Sequence, residues 1–195
     1  MKQHLVIFAK QPKMGAVKQR LAQDIGQVAA TWFYRQNMRR VVRRLARDPR
    51  WQVWLAVTPD QGFNWRGLPG NIHIIPQGTG DLGDRMDRVM HSLPPGPAAI
   101  IGTDIPGVQR RHIARIFQML GREDVVIGPA GDGGFWVIGM KRRPVPVGAY
   151  QGVDWSGGME MFQTLDNLRR WNRRWATELH DIDDGDDWQK WRRRG

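Results

Sequence analysis

Four short segments of this sequence set glycine beside charged side chains in ways that suit phosphate chemistry. The first is Lys10-Gln-Pro-Lys-Met-Gly-Ala-Val-Lys-Gln-Arg20, which follows an apolar run and leads into a helical pattern. Gly15 lets backbone approach a ligand closely, and the start of the helix offers free N–H groups and a partial positive charge. Lys10, Lys18 and Arg20 add cations that can reach the same point. Together they suit a di- or triphosphate, or else form a solvated basic loop. The loop lacks the Gly-Lys-Ser/Thr of a Walker A sequence and is not GxGxxG.

The second segment is Gly102-Thr-Asp-Ile-Pro106. A hard divalent ion takes one or two carboxylates together with phosphate oxygens and water, so Asp104 is a candidate ligand for Mg²⁺ or Mn²⁺. It stands five residues before a helix expected from about Gln109, too early to cap it directly. The third, Gly128-Pro-Ala-Gly-Asp-Gly-Gly134, brings the Asp132 carboxylate among flexible residues, although Asp-Gly is also a common turn pair. The fourth, Gln77-Gly-Thr-Gly-Asp-Leu-Gly-Asp-Arg-Met86, precedes a helix. There Asp81 or Asp84 is placed to cap the helix, or Arg85 to meet a phosphate or a carboxylate.

The elements that must position these loops follow from periodicity. Short apolar runs predict strands at His4–Ala9, Trp51–Val57, Asn71–Pro76, Ala98–Gly102, Asp124–Gly128 and Phe135–Met140. Apolar residues every three or four positions predict helices from Lys18 to Asp24, from Gln27 to Leu45, Leu82–Leu93, Arg110–Leu120 and Met159–Trp171. Trp175–Ile182 reads as extended, and the tail from Asp183 as a short helix. Strands alternating with helices imply an α/β chain with a mostly parallel sheet covered on both faces, and one domain over 1–195 is the simplest account. Ligands of such sheets bind beyond the C-terminal ends of the strands, where these loops fall.

Composition narrows the classes further. The chain has 195 residues and no cysteine, which excludes disulfides, thiolate metal sites and cysteine nucleophiles. Leu5–Ala9 is too short for a signal-peptide core, and no apolar run approaches a membrane span. A soluble, cytoplasmic protein with no membrane partner is expected. The net charge of +11 is concentrated: seven arginines lie from Arg35 to Arg50, and Arg192–Arg194 end the tail. A solvated arginine-rich helix face accounts for most of it, which argues against nucleic acid as the main partner. Half of the ten tryptophans (Trp155, Trp171, Trp175, Trp188 and Trp191) fall in the last 41 residues. They suggest a Trp/Arg-rich extension over 172–195 packed on the domain, and exposed members of the group would suit a homodimer.

The four segments, in this order, resemble the glycosyltransferase-like family called radical-SAM/selenodomain-associated transferases. That family belongs to the nucleotide-diphospho-sugar transferase superfamily, whose A-type fold also serves molybdenum-cofactor nucleotidyltransferases and 2-phospholactate guanylyltransferases. Its opening Phe-Ala-Lys-x-Pro and x-x-Gly-x-x-Lys-Thr-Arg-Leu match Phe8–Pro12 and Lys13–Leu21. Its Gln-x-x-Gly-Asp-Leu-Gly-x-Arg-Met matches Gln77–Met86, its Gly-x-Asp-x-Pro matches Gly102–Pro106, and its Gly-Pro-Ala-x-Asp-Gly-Gly-Tyr/Phe matches Gly128–Phe135. A later Trp-Ser matches Trp155-Ser156, and Thr164 falls where the family often has threonine. Gln19 replaces the family's usual threonine, and glycines follow Ser156 where a hydroxyl residue is common.

The resemblance implies a Rossmann-like three-layer fold. It places Lys10, Gly15, Lys18 and Arg20 along the nucleotide phosphates, with Asp81 and Arg85 nearby, and assigns Asp104 to the metal. Asp132 would face the acceptor, in company with Gly133, Gly134 and Trp155. The implied reaction is transfer from a nucleotide or nucleotide-sugar donor to an unidentified small-molecule acceptor, with Asp132 as a candidate general base. Pro12 and Met14 replace the glycine-rich loop of molybdopterin-type nucleotidyltransferases, which tilts the reading to glycosyl transfer. Nucleotidyl transfer is the alternative, and a non-catalytic nucleotide or RNA binder is a second alternative of a different class.

Overall fold

The first apolar run becomes β1 (Gln3–Lys10), whose middle residues are buried. A strand covered on both faces reads as a continuous apolar stretch rather than an alternating one. In a computed structural model, residues 1–61, 67–143, 146 and 148–194 are described. Helices α1 (Gln19–Ile25) and α2 (Gln27–Ala46) follow, separated by Gly26. Then come β2 (Trp51–Thr58), β3 (Ile72–Pro76), α3 (Leu82–Ser92), β4 (Ala98–Ile101) and α4 (Arg110–Met119). The rest is β5 (Val125–Pro129), β6 (Phe135–Met140), α5 (Glu160–Asn167), β7 (Arg173–Trp175) and α6 (Gly185–Arg194).

The seven strands form one sheet in the order β3-β2-β1-β4-β6-β5-β7. All neighbours are parallel except those of β6, which runs antiparallel to both β4 and β5. On one face Met38, Val41 and Leu45 of α2 and Ile113 and Ile116 of α4 meet Leu5, Ile7 and Leu55 of the sheet. On the other, Met86, Val89 and Met90 of α3 pack with Val6, Ile100 and Ile127. This is the single-domain, three-layer α/β arrangement, and no helix among the described residues is long and apolar enough to cross a membrane.

Two expected elements are shorter than periodicity suggested. Helix α5 ends at Asn167 rather than reaching Trp171, because the chain must turn there to bring Arg173–Trp175 beside β5. Only those three residues pair as a strand. The following segment still tracks β5, through Ala176 N–H to Ile127 O at 2.8 Å and Leu179 N–H to Pro129 O at 3.3 Å. It ends in α6, whose Trp188 and Trp191 pack against Leu21, Ala30 and Phe33 of α1 and α2. Residue 195 lies outside the described residues.

Helix α2 is tied to the strand ends by one buried phenol. The Tyr34 hydroxyl accepts from the Lys10 N–H at 2.8 Å and from the Thr103 hydroxyl at 3.2 Å, and donates to the Lys10 carbonyl at 3.0 Å. Burial, then the nearby Asp104 charge, raises its pKa well above the usual phenol value, so it stays neutral and keeps its donor. Replacing Tyr34 with Phe removes three hydrogen bonds at once and leaves the buried Thr103 hydroxyl without this acceptor, at a cost of about 2 kcal/mol. The expected result is a Tm lower by about 4–8 °C for a domain of this size, read by circular dichroism, with the spectrum at low temperature unchanged.

Candidate functional site

The loop after β1 turns back at Lys18, which sits at the N-terminus of α1 with φ 49°, ψ 51°. A non-glycine residue in the left-handed region is held there by its surroundings. The holding contacts are charged. Lys18 Nζ lies 2.6 Å from Asp183 Oδ1 and 3.3 Å from Asp104 Oδ2, and the lysine side chain is only 6 % exposed. Burial works against its charge, but Asp104 and Asp183 outweigh that cost and its pKa is raised. The buried ammonium therefore stays protonated at neutral pH.

Asp104 stands just past the end of β4, and its side chain is 43 % exposed. It does not cap α4, whose N-cap is Gln109. Its Oδ1 is a buried oxygen without a hydrogen-bond partner among the described residues. Its carbonyl accepts from Ile182 N–H at 3.2 Å, which pins the segment before α6 to this loop. That segment supplies two carboxylates. In an extended backbone, residues two apart point to the same side, and Asp181 and Asp183 both meet Asp132. Carboxylate oxygens of Asp132, Asp181 and Asp183 lie within 4.8 Å of one another. Burial, then the Asp183 and Asp132 charges, pushes the Asp181 carboxyl up to about 6.

Asp132 comes from the loop between β5 and β6, where it also accepts from Gly134 N–H at 3.0 Å, so the turn and the carboxylate coexist. Gly133 has φ 88°, and a side chain there would run into the Gly158 carbonyl. The loop thus packs backbone to backbone on the segment carrying Trp155 and Ser156. Trp155 meets Phe135 and Tyr150 edge-on or tilted, and its indole N–H is buried without a partner. Ser156 donates to Asp154 at 2.7 Å.

Two clefts meet at Gly102 and Asp104. One, of about 300 Å³, runs between Lys10, Val17, Lys18, Tyr34 and Gln77. The other, of about 180 Å³, lies among Asp132, Gly134, Phe135, Trp155, Glu160 and Asp181. The structure thus brings Lys10, Lys18, Asp104, Asp132, Gly134 and Trp155 to one mouth at the strand ends. Arg20 is at the edge, 80 % exposed and 4.0 Å from Asp183. Gly15 takes φ 73° in an exposed turn, where its carbonyl accepts from Gln19. Asp81 and Asp84 cap α3 reciprocally, and Arg85 donates to the Gly80 carbonyl at 2.9 Å. Asp81 is thereby engaged with the first turn of α3, and Arg85 with the loop just before it.

Asp181 and Asp183 are the site residues that sequence reasoning did not single out. Their one signal was the Asp-Ile-Asp spacing at the end of an extended stretch; nothing local says where that stretch returns.

Because the Asp181 carboxyl is raised, its ionised form is less favourable in the folded protein than in the unfolded chain. It costs stability above pH 6, and the cost disappears as pH falls below about 4. Asp181→Asn is expected to raise the Tm of the metal-free protein at pH 7. After allowing for solvent screening the gain is about 1 kcal/mol, or about 2–4 °C. Near pH 4 the variant and the parent are expected to melt alike, which differential scanning calorimetry across the two pH values checks.

The fold recurs in solved structures. A protein from Desulfovibrio desulfuricans G20, provisionally named a nucleotide-diphospho-sugar transferase, is similar with a TM-score of 0.85 and 24% identity, over 94% of this chain and 84% of that one. A nucleotidyl transferase from Methanothermobacter thermautotrophicus gives 0.69 and 11%, over 99% of this chain and 97% of that one. The 4-diphosphocytidyl-2C-methyl-D-erythritol synthase of Anaerococcus prevotii DSM 20548 gives 0.61 and 10%, over 95% and 94%. No curated protein matches the chain by sequence. A family model does, over residues 41–157, more than half of its length. The chain belongs to that family, DUF2064, described as an uncharacterized protein conserved in bacteria.

Proposed function

We propose that this chain is a metal-dependent transferase that uses a nucleotide-activated donor, and that the transferred group is a sugar. The observation that carries the reading is the Lys18 ammonium held between Asp104 and Asp183 at the strand ends, next to the Asp132–Asp181–Asp183 carboxylates. A lone buried cation among four carboxylates is suited to a ligand that brings both positive and negative charge. A divalent ion with a diphosphate is such a ligand.

The donor set fits Mg²⁺ or Mn²⁺. It consists entirely of hard carboxylate oxygens, and Asp104 Oδ1 is a buried acceptor with no partner of its own. Asp104 with Asp183, and Asp132 or Asp181 beside them, would hold the ion. Bound there, it would neutralise charge building on the phosphate leaving group. Lys18 supplies a fixed positive charge at the same point, in a site partly shielded from water, where such a charge is most effective. Lys10 and the exposed Arg20 extend that positive field toward solvent, along the path a nucleotide would take. On the opposite side Phe135 and Trp155 form an apolar wall for a small acceptor. Asp132, exposed and oriented by its own turn, is the candidate base for the acceptor's proton.

The assignment to the radical-SAM/selenodomain-associated transferases rests on the motifs Phe8–Leu21, Gln77–Met86, Gly102–Pro106 and Gly128–Phe135, and it favours glycosyl transfer in a soluble, cytoplasmic enzyme. Nucleotidyl transfer is the second reading. It is favoured by the nucleotidyl transferase of the same fold that aligns over nearly the whole chain.

A thermal-shift panel tests both. A ligand at a hundred times its dissociation constant adds about 2.7 kcal/mol, which is roughly 5–10 °C here. Such a shift is expected with a nucleotide sugar or nucleoside diphosphate only when Mn²⁺ or Mg²⁺ is present, and Asp104→Asn is expected to remove it. A larger shift with the triphosphate would select nucleotidyl transfer. A metal-independent shift, or an Asp104→Asn variant that responds like the parent, would rule out the metal assignment.

A further inference from the structure

The arginines that the sequence presents as a solvated helix face are gathered by the fold into a groove. Helices α2 and α4 pack side by side on one face of the sheet, and a cleft of about 1020 Å³ opens between their outer edges. It joins a second of about 450 Å³ through Arg44 and Arg110, and a third of about 270 Å³ through Arg115 and Gln118. Nine arginines and no lysine line the first two. The one acid there, Asp48, is buried and already bonded through both carboxylate oxygens to Arg50, at 2.8 and 2.6 Å. Among the described residues, Arg40, Arg47 and Arg111 make no side-chain hydrogen bond or ion pair.

Such crowding opposes folding, since like charges repel. Burial and then the Arg40 charge lower the pKa of Arg44. Arg44 is nonetheless fixed, donating to the Pro106 carbonyl at 2.8 Å and to that of Val108. Arg43, Arg50 and Arg115 are likewise engaged, with the Gly67 carbonyl, Asp48 and Gln118, which leaves the guanidiniums of Arg40, Arg47 and Arg111 to meet an anion. One turn before Gln36, at the groove's end, α2 presents Trp32 at 62 % exposure. Trp32, Gln36, Arg39 and Arg43 recur at the helical spacing of three to four, so the indole lies on the same stripe as the arginines.

We infer that this groove binds a single-stranded nucleic acid, with the arginines along its phosphates and Trp32 stacking on a base. The planar guanidinium fork matches phosphate oxygens in pairs. A cationic channel beside an exposed aromatic is how single strands are held without sequence preference. A lipid surface is a poorer occupant, because a bilayer cannot enter a cleft between two helices. The surface is separate from the Lys18–Asp104 site, so the inference stands whether or not the chain proves to be a transferase.

The test is fluorescence anisotropy with a labelled oligo(U) RNA of about 20 nucleotides, titrated with the full chain at about 50 and 200 mM KCl. Four phosphate contacts give a log–log slope in salt of about −3. The triple variant Arg40→Glu/Arg47→Glu/Arg111→Glu is expected to lose at least about tenfold in affinity and to flatten the slope. Arg169→Glu/Arg170→Glu/Arg193→Glu changes the net charge equally outside the groove and is expected to bind within about twofold of the parent. Trp32→Ala should weaken binding about fivefold or more with the slope unchanged. Should the triple variant melt early, Arg111→Glu alone, on an exposed helix face, should still cost about threefold. Equal losses in the two triple variants, or a slope shallower than −1, would overturn the proposal. So would binding to phosphatidylserine vesicles without binding to the RNA.

Discussion

The site depends on one buried ammonium. Lys18 lies in the left-handed region at the head of α1 and is nearly withdrawn from water. An unpaired lysine there would be expensive. Asp104 and Asp183 make it tolerable, and in doing so they join parts of the chain that are remote in sequence: the loop after β1, the loop after β4 and the segment before α6. The same contacts hold together carboxylates that would otherwise repel. Remove the lysine, and four acids face one another across two clefts, offset only from the edge by the exposed Arg20 and by Lys10.

Around that centre the fold works by bringing strand ends to one level. β1 and β4 are parallel neighbours in register, His4 beside Ala98 and Ile7 beside Ile101, so their following loops emerge side by side. Tyr34 and Asn37 of α2 then clamp those loops, the latter by donating to the Thr103 carbonyl at 2.7 Å. Gln77 closes the edge, donating to the carbonyls of Ala9 and Ala56. Polar side chains reaching free backbone groups at strand ends keep the mouth of the site in shape without narrowing it.

Much of this was legible in the sequence, for identifiable reasons. The strands β1, β4, β5 and β6 are apolar runs bounded by glycine or proline, and α2 and α4 carry a strong three-to-four periodicity. Those signals are local. The loops with Lys18, Asp104 and Asp132 were legible because charge and glycine at the end of an apolar run have few uses. What local reasoning could not supply was convergence. Asp181 and Asp183 belong to a stretch whose course is set by pairing with β5, and the antiparallel insertion of β6 has no mark in its composition. Asp81 shows the opposite case: its position before a helix allowed capping or ligand contact, and the capping geometry is what the fold displays. The arginines of α2 read as a solvated face because the second wall of their groove, α4, begins more than sixty residues later.

The path of the segment from Arg173 to Asp183 bears on how the protein is made. Synthesis runs from the N-terminus, so β1, α1 and the loop with Lys18 leave the ribosome long before Asp183 exists. For most of that interval the ammonium has Asp104, at best, as its counter-ion. The central strands and the helices on both faces can assemble first, while the mouth of the site stays loosely ordered. Only when the chain has run along β5 and delivered Asp181 and Asp183 does the charge balance of the pocket reach its final state. On the proposed reading, donor affinity at this mouth would therefore switch on late in biogenesis, after the core and the arginine groove between α2 and α4 are already built.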